Sequence, residues 1–461
     1  MALLWRVIDL IKDLWRALFF ICSIQFWRMT LLWTFSVAYS HFQLLKDSLF
    51  SQKIVSYPRS SPSTVPNRPV CVITGATSGL GLSTACKLSK EGYVIVIVGR
   101  SEQLLSETIT KIKGWHEDAR LKAFQADLSS IESIIKFKNS LRQWLLDSDL
   151  HCSIQILINN AGILATSPRA TAEGFDQMIG TNYISAFVLT KLLLPLLESS
   201  PVSAKIVNVA SFTHRADFTT IALLYNLLKL FSSVTGLQVD EGTVSGKRFL
   251  SSKRYPYAQI YEYSKICLLL FSFELHRQLC QMGKSHQIFV KGTCFLANVY
   301  ADMYTMSWLR IACQTRKSHD RKMFKWEQLY SYENSLESLV HLWLGLTKCC
   351  INSTNKSEFS VADPGVVQTN IMRDFPVCLS WLAFFVLKRL RLLQSPESGK
   401  EAIIDAALAP PGTSGAYFFG GKGRTINSSA LSRNAKLAHE LWETTCNMLS
   451  VTPFDNEKER F

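Results

Sequence analysis

The residues that decide the fold are "PVCVITGATSGLG" at positions 69–81. The apolar run from Val70 to Ile73 has the length and composition of a buried strand, and it leads into a turn with three glycines. The next segment, "LSTACKLSKEG", has helical periodicity. This order is typical of a dinucleotide site, because the free N–H groups at the start of the helix favour a pyrophosphate. The candidate cofactor-binding residues of the turn are Gly75, Thr77, Ser78, Gly79, Leu80 and Gly81.

The end of the next predicted strand, "YVIVIVGR" at 93–100, bears on which dinucleotide binds. Folds that prefer NAD place a carboxylate here for the ribose hydroxyls. This strand instead ends in Gly99 and Arg100, and a guanidinium suits a 2′-phosphate. Arg100 therefore favours NADP. Glu102, just beyond it, keeps NAD open as the alternative.

Polar and small residues end the strands that follow. Asp127 ends the strand in "LKAFQADLSS", where it could meet the adenine amino group. The apolar run in "IQILINNAGIL" indicates a buried parallel strand. The residues after that run, among them Asn159, Ala161 and Gly162, leave no bulky side chain beside a cofactor.

The alternation of helix and strand continues to Ser211. A helix over 175–198 carries Asn182, and the strand in "AKIVNVAS" ends at Ser211. Strand after helix after strand predicts an α/β fold with a Rossmann-type, doubly wound parallel sheet. Ligands of such sheets bind beyond the carboxyl ends of the strands, which is where these candidates lie apart from mid-helix Asn182.

Four tyrosines precede Lys265 in "YPYAQIYEYSK" at 255–265, and only Tyr261 stands four residues before it. That spacing puts both side chains on one face of a helix. A Tyr-x-x-x-Lys sequence also occurs by chance, so its meaning depends on the rest of the chain. A free tyrosine, with a pKa of about 10, gives up its proton reluctantly, and an ammonium one turn away lowers that pKa. We therefore expect Tyr261 to be the acid/base of a hydride transfer, assisted by Lys265.

Five motifs, in order, resemble the short-chain dehydrogenase/reductase family. They are "TGATSGLG" at 74–81, "NNAG" at 159–162, "NVAS" at 208–211, Tyr261-x-x-x-Lys265 and "DPGVVQTN" at 363–370. "HRADF" and "SPESGKEAIIDAALAPPGTSGAYFFGGKGR" are similar to the retinol-dehydrogenase-like branch, and the apolar leader also resembles the plant FOREVER YOUNG oxidoreductases. The resemblance covers about residues 70–430.

The resemblance implies an NAD(P)-dependent alcohol dehydrogenase or carbonyl reductase, and it makes a homodimer plausible. It implies a catalytic group in which Ser211 holds the substrate oxygen and Asn182 holds a water that relays protons to Lys265. It also implies that a segment after the sixth strand closes over the nicotinamide. The residues of that segment are Pro364, Gly365 and Thr369.

Composition narrows the possible partners. The formal charge is +14, but the basic residues are scattered without interleaved aromatic residues, so we do not expect nucleic-acid binding. The 12 cysteines include no C-x-x-C and indicate reduced thiols rather than disulfides or a metal site. The apolar run in "PVCLSWLAFFVLKRLRLL" at 376–393 suits an apolar alcohol or carbonyl substrate, or an anionic bilayer; a core helix is the alternative.

Residues 1–50 predict a membrane-associated helical segment. The first 20 have an apolar stripe typical of a helix lying in a bilayer surface. The uncharged run from Met29 to Leu45 is slightly short of a span, although Arg28 could extend it by snorkelling. Spanning and lying flat both stay open, and the organelle is not indicated. The Ser/Pro-rich residues 51–69 are typical of a linker.

A single domain is predicted over 70–440, with a tail at 441–461. Two excursions interrupt it. Ser211 and Tyr261 are 50 residues apart, and the stretch between them is either a lid or a surface excursion. Residues 291–358 form an insertion near the sixth strand: "HQIFV" at 286–290 has the pattern of the start of that strand, and "FSVADPG" has the same pattern after the insertion. The insertion is either a translated retained intron or a genuine module.

Two functions are consistent with these patterns. The first is an NADP(H)-dependent oxidoreductase, membrane-associated through residues 1–50, that acts on an apolar alcohol or carbonyl compound. The second is a regulatory or scaffold protein that binds the cofactor without turnover. The complete set of catalytic residues favours the first, and the interrupted sixth strand favours the second.

Overall fold

The computed structural model describes residues 2–50, 56–60, 68–148, 150–216, 238–281 and 358–450. The chain divides into two compact units, 1–276 with 355–461, and 277–354. Of the second unit only residues 277–281 are described. The candidate strand at 286–290 and nearly all of the insertion at 291–358 lie outside the described residues, as do 217–237 of the predicted lid.

Seven parallel strands form the central sheet, and two short ones pair beside it. The strands are β1 Val70–Thr74, β2 Val94–Gly99, β3 Leu121–Gln125, β4 Ile156–Asn159, β5 Lys205–Val209, β6 Glu358–Asp363, β7 Val366–Val367, β8 Leu393–Gln394 and β9 Ala416–Phe419. The order in the sheet is β3-β2-β1-β4-β5-β6-β9, and β7 pairs with β8. This confirms the predicted doubly wound parallel fold. The sixth strand is the segment at 358–363, which pairs with β5 in the register Val207↔Ser360.

Helices cover the sheet and form the amino-terminal segment. They are α1 Ala2–Ile21, α2 Ile24–Arg28, α3 Thr34–Phe50, α4 Gly79–Lys90, α5 Glu102–Trp115, α6 Ile131–Asp147, α7 Gln177–Ile179, α8 Ser185–Glu198, α9 Glu241–Val244, α10 Lys247–Leu250, α11 Tyr257–Gln281, α12 Val377–Arg389, α13 Pro396–Ala407 and α14 Ala435–Ser450. Wider π turns at Met29–Trp33 and Gly180–Ile184 join α2 to α3 and α7 to α8. Short 3₁₀ turns lie at Phe212–Arg215, Asn370–Met372 and Leu431–Arg433.

Apolar strands explain the position of the core. Every residue of β1 and β2 is buried, as expected for the middle of a parallel sheet with helices on both faces. Leu88 of α4 and Ile403 of α13 belong to the same buried cluster as Ile73 of β1. Because β1, β4, β5 and β6 run in parallel, their carboxyl ends meet at one edge of the sheet, and the candidate site lies there.

The amino-terminal helices pack on the domain. Met29, Ser36, Val37 and Ser40 are buried, and the Ser40 hydroxyl accepts a hydrogen bond of 3.0 Å from Nε of Arg215. Arg28 does not snorkel, since its guanidinium pairs with a carboxylate of α11. A helix with one side against protein is not surrounded by lipid, so this packing favours the flat alternative over a simple span.

Two segments among the described residues have the length and hydropathy of a membrane span. One is Gln177–Glu198, 78% of whose apolar window is buried, as in the core helix of a globular domain. The other is the pair Ile11–Ile21 and Ile24–Lys46, bent by 68° between its two parts.

Part of the predicted linker is attached to the domain. The backbone N–H of Tyr57 donates to the Gly423 carbonyl at 3.0 Å, and that of Ser60 donates to Leu408 at 2.7 Å. Arg59 forms ion pairs with Glu401 and Asp405, both on α13. Residues 56–60 therefore form a strap that crosses the carboxyl-terminal half of the domain.

Candidate active site

The glycine turn is built by close approach of two strand ends. Gly75 has a φ of +63°, and a Cβ there would lie 2.9 Å from Cα of Ala161. A Cβ at Gly81 would overlap the Gly75 carbonyl oxygen and lie 2.6 Å from Nδ2 of Asn160. Both positions therefore require glycine, and the backbone at the start of α4 stays uncovered. This fits a pyrophosphate, which needs close access to the N–H groups of a helix start.

The other predicted residues of the turn lie close by. Ser78 is the exposed N-cap of α4, and its hydroxyl does not cap the helix. A Cβ at Gly79 would lie 3.1 Å from Cγ2 of Thr369, so the segment after β6 reaches the glycine turn. Leu80 packs beside Gly399 of α13, since a Cβ added to Gly399 would lie 3.0 Å from Cδ2 of Leu80. Its side chain thus holds α4 against α13.

Thr74 and Asn160, which were not singled out in the sequence, join the glycine turn to the loop after β4. The Thr74 hydroxyl accepts hydrogen bonds from the backbone N–H groups of Asn160 and Ala161, at 2.9 and 3.0 Å. Nδ2 of Asn160 donates to the carbonyls of Thr74 and Gly75, at 2.8 and 3.2 Å. Asn159, the residue singled out in the sequence, has its side chain in the core, where Nδ2 donates to Asn208 at 2.7 Å. Asn160 thus bonds the turn, and Asn159 joins two strands.

The residues expected at the adenosine end are exposed at the same edge of the sheet. Arg100 follows β2, and Thr77 lies beside it, since a Cβ on Gly99 would be 2.9 Å from Cγ2 of Thr77. Asp127 follows β3, and its carboxylate accepts hydrogen bonds of 2.9 and 2.8 Å from the backbone and hydroxyl of Ser129. Arg100 and Asp127 therefore follow the carboxyl ends of β2 and β3, at the edge of the sheet where ligands of such folds bind.

The four predicted catalytic residues come together near Gly162. The Ser211 side chain is close enough to Tyr261 to lower its pKa, and Nζ of Lys265 lies 5.8 Å from the Tyr261 ring centroid. A Cβ on Gly162 would lie 3.4 Å from Oδ1 of Asn182 and 3.6 Å from Nζ of Lys265. Tyr261 and Lys265 are 6% and 5% exposed. The spacing read from the sequence therefore does place tyrosine and lysine together.

Asn182 is held by the backbone it faces. It lies in the π turn between α7 and α8, where Oδ1 accepts from the Ile163 N–H at 2.8 Å. Its Nδ2 donates to the Ile163 carbonyl and to the Ser264 hydroxyl, both at 3.0 Å. Asn182 therefore links the loop after β4 to α11, the helix of Tyr261.

The pKa of Tyr261 is raised above its ordinary value, not lowered. Burial is the main cause, and the nearby Asp363 carboxylate adds to it, while the Ser211 side chain opposes both. Burial also lowers the pKa of Lys265 to about 8, with Asp363 opposing. The net shift of the phenol pKa is therefore upward, although the sequence predicted a downward one. Burial outweighs the charge, and Nζ donates to the Val209 carbonyl at 3.0 Å.

Asp363, which the sequence analysis did not single out, is a fully buried carboxylate beside this group. Oδ2 accepts from the Tyr417 hydroxyl at 2.8 Å and Oδ1 from the Gly365 N–H at 2.9 Å. Burial raises the pKa of Asp363, and these hydrogen bonds and the charge of Arg215 oppose that rise. Asp363 is the first residue of "DPGVVQTN" and ends an apolar strand, and a carboxylate at that position could have been predicted from the sequence to lie at the site.

The amino-terminal helices also reach the site. Arg28 pairs with Glu262 at 2.5 Å, and Nε1 of Trp33 donates to Oε1 of Glu262 at 2.8 Å. The Trp33 ring lies 5.6 Å, centroid to centroid, from the ring of Tyr261. One turn earlier on α11, Tyr257 stacks on Phe20 at 5.9 Å. These contacts were not predicted from the sequence, although the carboxylate of Glu262 in an otherwise apolar helix indicates that a hydrogen-bonding or charged partner lies nearby.

The parallel sheet, the glycine turn and the buried Tyr–Lys pair define a Rossmann-type dinucleotide-binding oxidoreductase. The short chain dehydrogenase family profile matches residues 69–223. Residues 69–223 are therefore similar to short-chain dehydrogenases, and the similar curated proteins include a polyprenol dehydrogenase and a retinol dehydrogenase.

Among curated proteins, the chain is similar to the polyprenol dehydrogenase of Homo sapiens, with 26% identity over 84% of this chain and 87% of that protein. It is 33% identical to retinol dehydrogenase 13 of Mus musculus over 34% of this chain and 44% of that protein, so less than half of that relative is spanned. A solved structure of an uncharacterized protein from Mycobacterium paratuberculosis aligns with 83% of this chain and 93% of that one, at 19% identity and a TM-score of 0.48.

Proposed function

We propose that the chain is an NADP(H)-dependent oxidoreductase that interconverts an apolar alcohol and its carbonyl compound. The observation that carries this proposal is the arrangement of Tyr261 and Lys265. Both are buried one turn apart on α11, Nζ of Lys265 lies 5.8 Å from the Tyr261 ring centroid, and Ser211 lies close to the tyrosine at the carboxyl ends of the strands. A chance Tyr-x-x-x-Lys has no reason to lie beside a glycine turn that fits a dinucleotide.

Each side chain has a definite task in this reaction. The bound nicotinamide supplies or accepts the hydride. Ser211 and Tyr261 hold the substrate oxygen between their hydroxyls, and Tyr261 donates the proton that the oxygen needs in the reductive direction. Lys265, whose ammonium lies beside the Tyr261 ring, stabilises the phenolate that the proton transfer leaves. Asn182 supports the same end of the site through its bonds to Ile163 and Ser264.

The preference for NADP is part of this proposal. Arg100 is the first residue after β2 and is exposed there, where the 2′-position of an adenosine ribose would lie. A guanidinium binds a phosphate through charge-assisted hydrogen bonds and gains nothing comparable from a hydroxyl. Human polyprenol dehydrogenase and mouse retinol dehydrogenase 13 are named for apolar alcohols, which supports the same substrate class here.

The membrane is the proposed location. Exposed large apolar side chains on α1 include Trp5, Ile11, Leu14, Trp15, Leu18 and Phe19, and those on α12 include Trp381, Leu382, Phe385 and Val386. The two helices contact each other, since Asp13 accepts hydrogen bonds from the backbone N–H groups of Val377 and Cys378, both at 3.2 Å. Lys388 and Arg389 end α12. A wide apolar face with a basic edge suits the surface of an anionic bilayer.

The test is NADPH oxidation by the full chain in detergent with a panel of apolar aldehydes and ketones. We expect turnover that Tyr261→Phe abolishes while NADPH binding stays unchanged. Tyr263→Phe is the matched control, because that hydroxyl donates to the Gln238 carbonyl at 3.1 Å, away from Ser211. Tight NADPH binding without turnover of any compound would instead support the scaffold function.

A further inference from the structure

The amino-terminal helices touch the same face of α11 that carries the proposed acid. Tyr257, Tyr261 and Lys265 are spaced by four residues and therefore lie on one side of the helix. Phe20 of α1 stacks on Tyr257, and Trp33 lies against Tyr261. The first 33 residues therefore cover the side of α11 from which a substrate must reach the Tyr261 hydroxyl.

Trp33 is fixed in place by a buried charge pair. Oε2 of Glu262 accepts hydrogen bonds from Nε and Nη2 of Arg28, at 3.1 and 2.5 Å. Oε1 of Glu262 accepts a hydrogen bond of 2.8 Å from Nε1 of Trp33. The side chains of Arg28 and Glu262 are 15% and 9% exposed. A partly desolvated, bidentate pair of this kind fixes geometry far better than an exposed one. The indole therefore has a set position over the Tyr261 ring.

Aromatic side chains continue from Trp33 toward the exposed apolar helices. The Phe375 ring lies 5.1 Å from that of Phe20 and 6.0 Å from that of Tyr257. Phe375 also lines a cavity of about 200 Å³ with Met372, Val377 and Phe384. The ring contacts lead from Tyr257 to Phe375, and the cavity lies between Phe375 and α12, whose outer residues face solvent.

We propose that the amino-terminal helices are one wall of the substrate site, and that Trp33 determines specificity for alcohols and aldehydes with long apolar chains. The oxygen of the substrate lies at Ser211 and Tyr261, and its chain runs past Trp33 along Phe20, Tyr257 and Phe375 toward the apolar face of α1 and α12. This inference rests on the proposed function for the reacting end. The position of the chain rests on the aromatic contacts alone.

The first experiment measures kcat/KM of the full chain with straight-chain aldehydes from butanal to tetradecanal. We expect Trp33→Ala to lower kcat/KM for the longest aldehydes about tenfold more than for butanal. The apolar contact that only the long chains lose is worth about 1.4 kcal/mol, and this free energy corresponds to a tenfold change. Trp33→Phe should restore most of the preference. The matched control is Trp27→Ala on the same segment, which removes a 49% exposed indole and should leave the preference unchanged.

A binding measurement separates this inference from the proposed function. Calorimetry with 1-decanol and 1-butanol on the NADPH-loaded chain needs no turnover. We expect Trp33→Ala to weaken decanol binding about tenfold and to leave butanol and NADPH unaffected. If the wild type binds decanol in this way but reduces no aldehyde, the proposed function fails and the inference stands. Equal loss for both chain lengths, or no loss for either, would overturn the inference.

Glu262 provides a third variant that tests positioning. Glu262→Gln keeps an oxygen acceptor for Nε1 of Trp33, whereas Glu262→Leu removes it. We expect the leucine variant to lose the chain-length preference and the glutamine variant to keep most of it. Thermal unfolding of each variant excludes a general loss of folding. Equal chain-length profiles for the two variants would show that the hydrogen bond to Trp33 does not set its position.

Discussion

Replacing Gly81 by alanine tests the glycine turn most directly. The new Cβ would overlap the Gly75 carbonyl oxygen, lie 2.6 Å from Nδ2 of Asn160 and lie 2.8 Å from Cα of Ala76. Two of these three neighbours are backbone atoms of the turn, which cannot move aside as a flexible side chain would. The Asn160 amide can move only by breaking its hydrogen bonds to the carbonyls of Thr74 and Gly75.

The cost follows from these contacts. Overpacking costs about 1–3 kcal/mol, and each lost hydrogen bond about 0.5–1.5 kcal/mol. Overpacking and the loss of both hydrogen bonds sum to about 2–6 kcal/mol, which must appear as a weaker cofactor site, a less stable domain, or both. If half of this cost falls on the site, the Kd for NADPH rises roughly five- to 140-fold, since 1.4 kcal/mol is tenfold.

The assay is NADPH titration by fluorescence together with thermal unfolding. Gly114→Ala is the control, because nothing lies within 4 Å of its Cβ position in α5, and alanine there should stabilise the helix by about 0.5–1 kcal/mol. We expect weaker binding and a lower midpoint only for Gly81→Ala. If that variant binds NADPH and unfolds as the wild type does, the close-packed turn is not as described.

Three further results are expected. Turnover should fall as pH rises through about 8, where Lys265 loses its proton. The pKa of this lysine in the unfolded chain is about 10.4, so between pH 8 and 10.4 the unfolded chain binds more protons and the free energy of unfolding should rise with pH. Lys265→Met should remove both pH dependences. Arg100→Asp should lower the NADPH/NADH ratio of kcat/KM at least roughly tenfold by placing like charge beside the phosphate, with Glu102→Gln nearly neutral; an unchanged ratio would refute the role of Arg100. Thr74→Val leaves two N–H groups without their acceptor and should cost about 2–4 kcal/mol by denaturant unfolding, whereas Thr110→Val, on the exposed face of α5, should cost less than about 1 kcal/mol; equal costs would contradict the bonding described.

The parallel sheet was predictable because its signals are local. Each strand is a short apolar run, and each is followed by a glycine turn or polar residue before a periodic helix, so β1 and α4 can be read from the 24 consecutive residues 69–92. The proximity of Tyr261 to Lys265 was predictable for the same reason, since a four-residue spacing on a helix fixes it.

The features that could not be predicted from the sequence depend on contacts between residues far apart in the chain. Arg28 and Glu262 are 234 positions apart, and a lone arginine beside an apolar run is equally consistent with snorkelling. The pKa of Tyr261 is likewise set by burial, which no spacing reveals. Asn159 and Asn160 are identical neighbours in the sequence, and only the direction of each side chain shows that Asn160 bonds the turn.

The separation between Arg28 and Glu262 has a consequence for how the chain is made. At about 5–20 residues per second, a ribosome reaches Glu262 roughly 12–47 s after it has added Arg28. During that interval the apolar amino-terminal helices exist without their seat on the domain. The exposed apolar side chains of these helices are therefore present before the carboxylate that Arg28 and Trp33 contact in the folded domain.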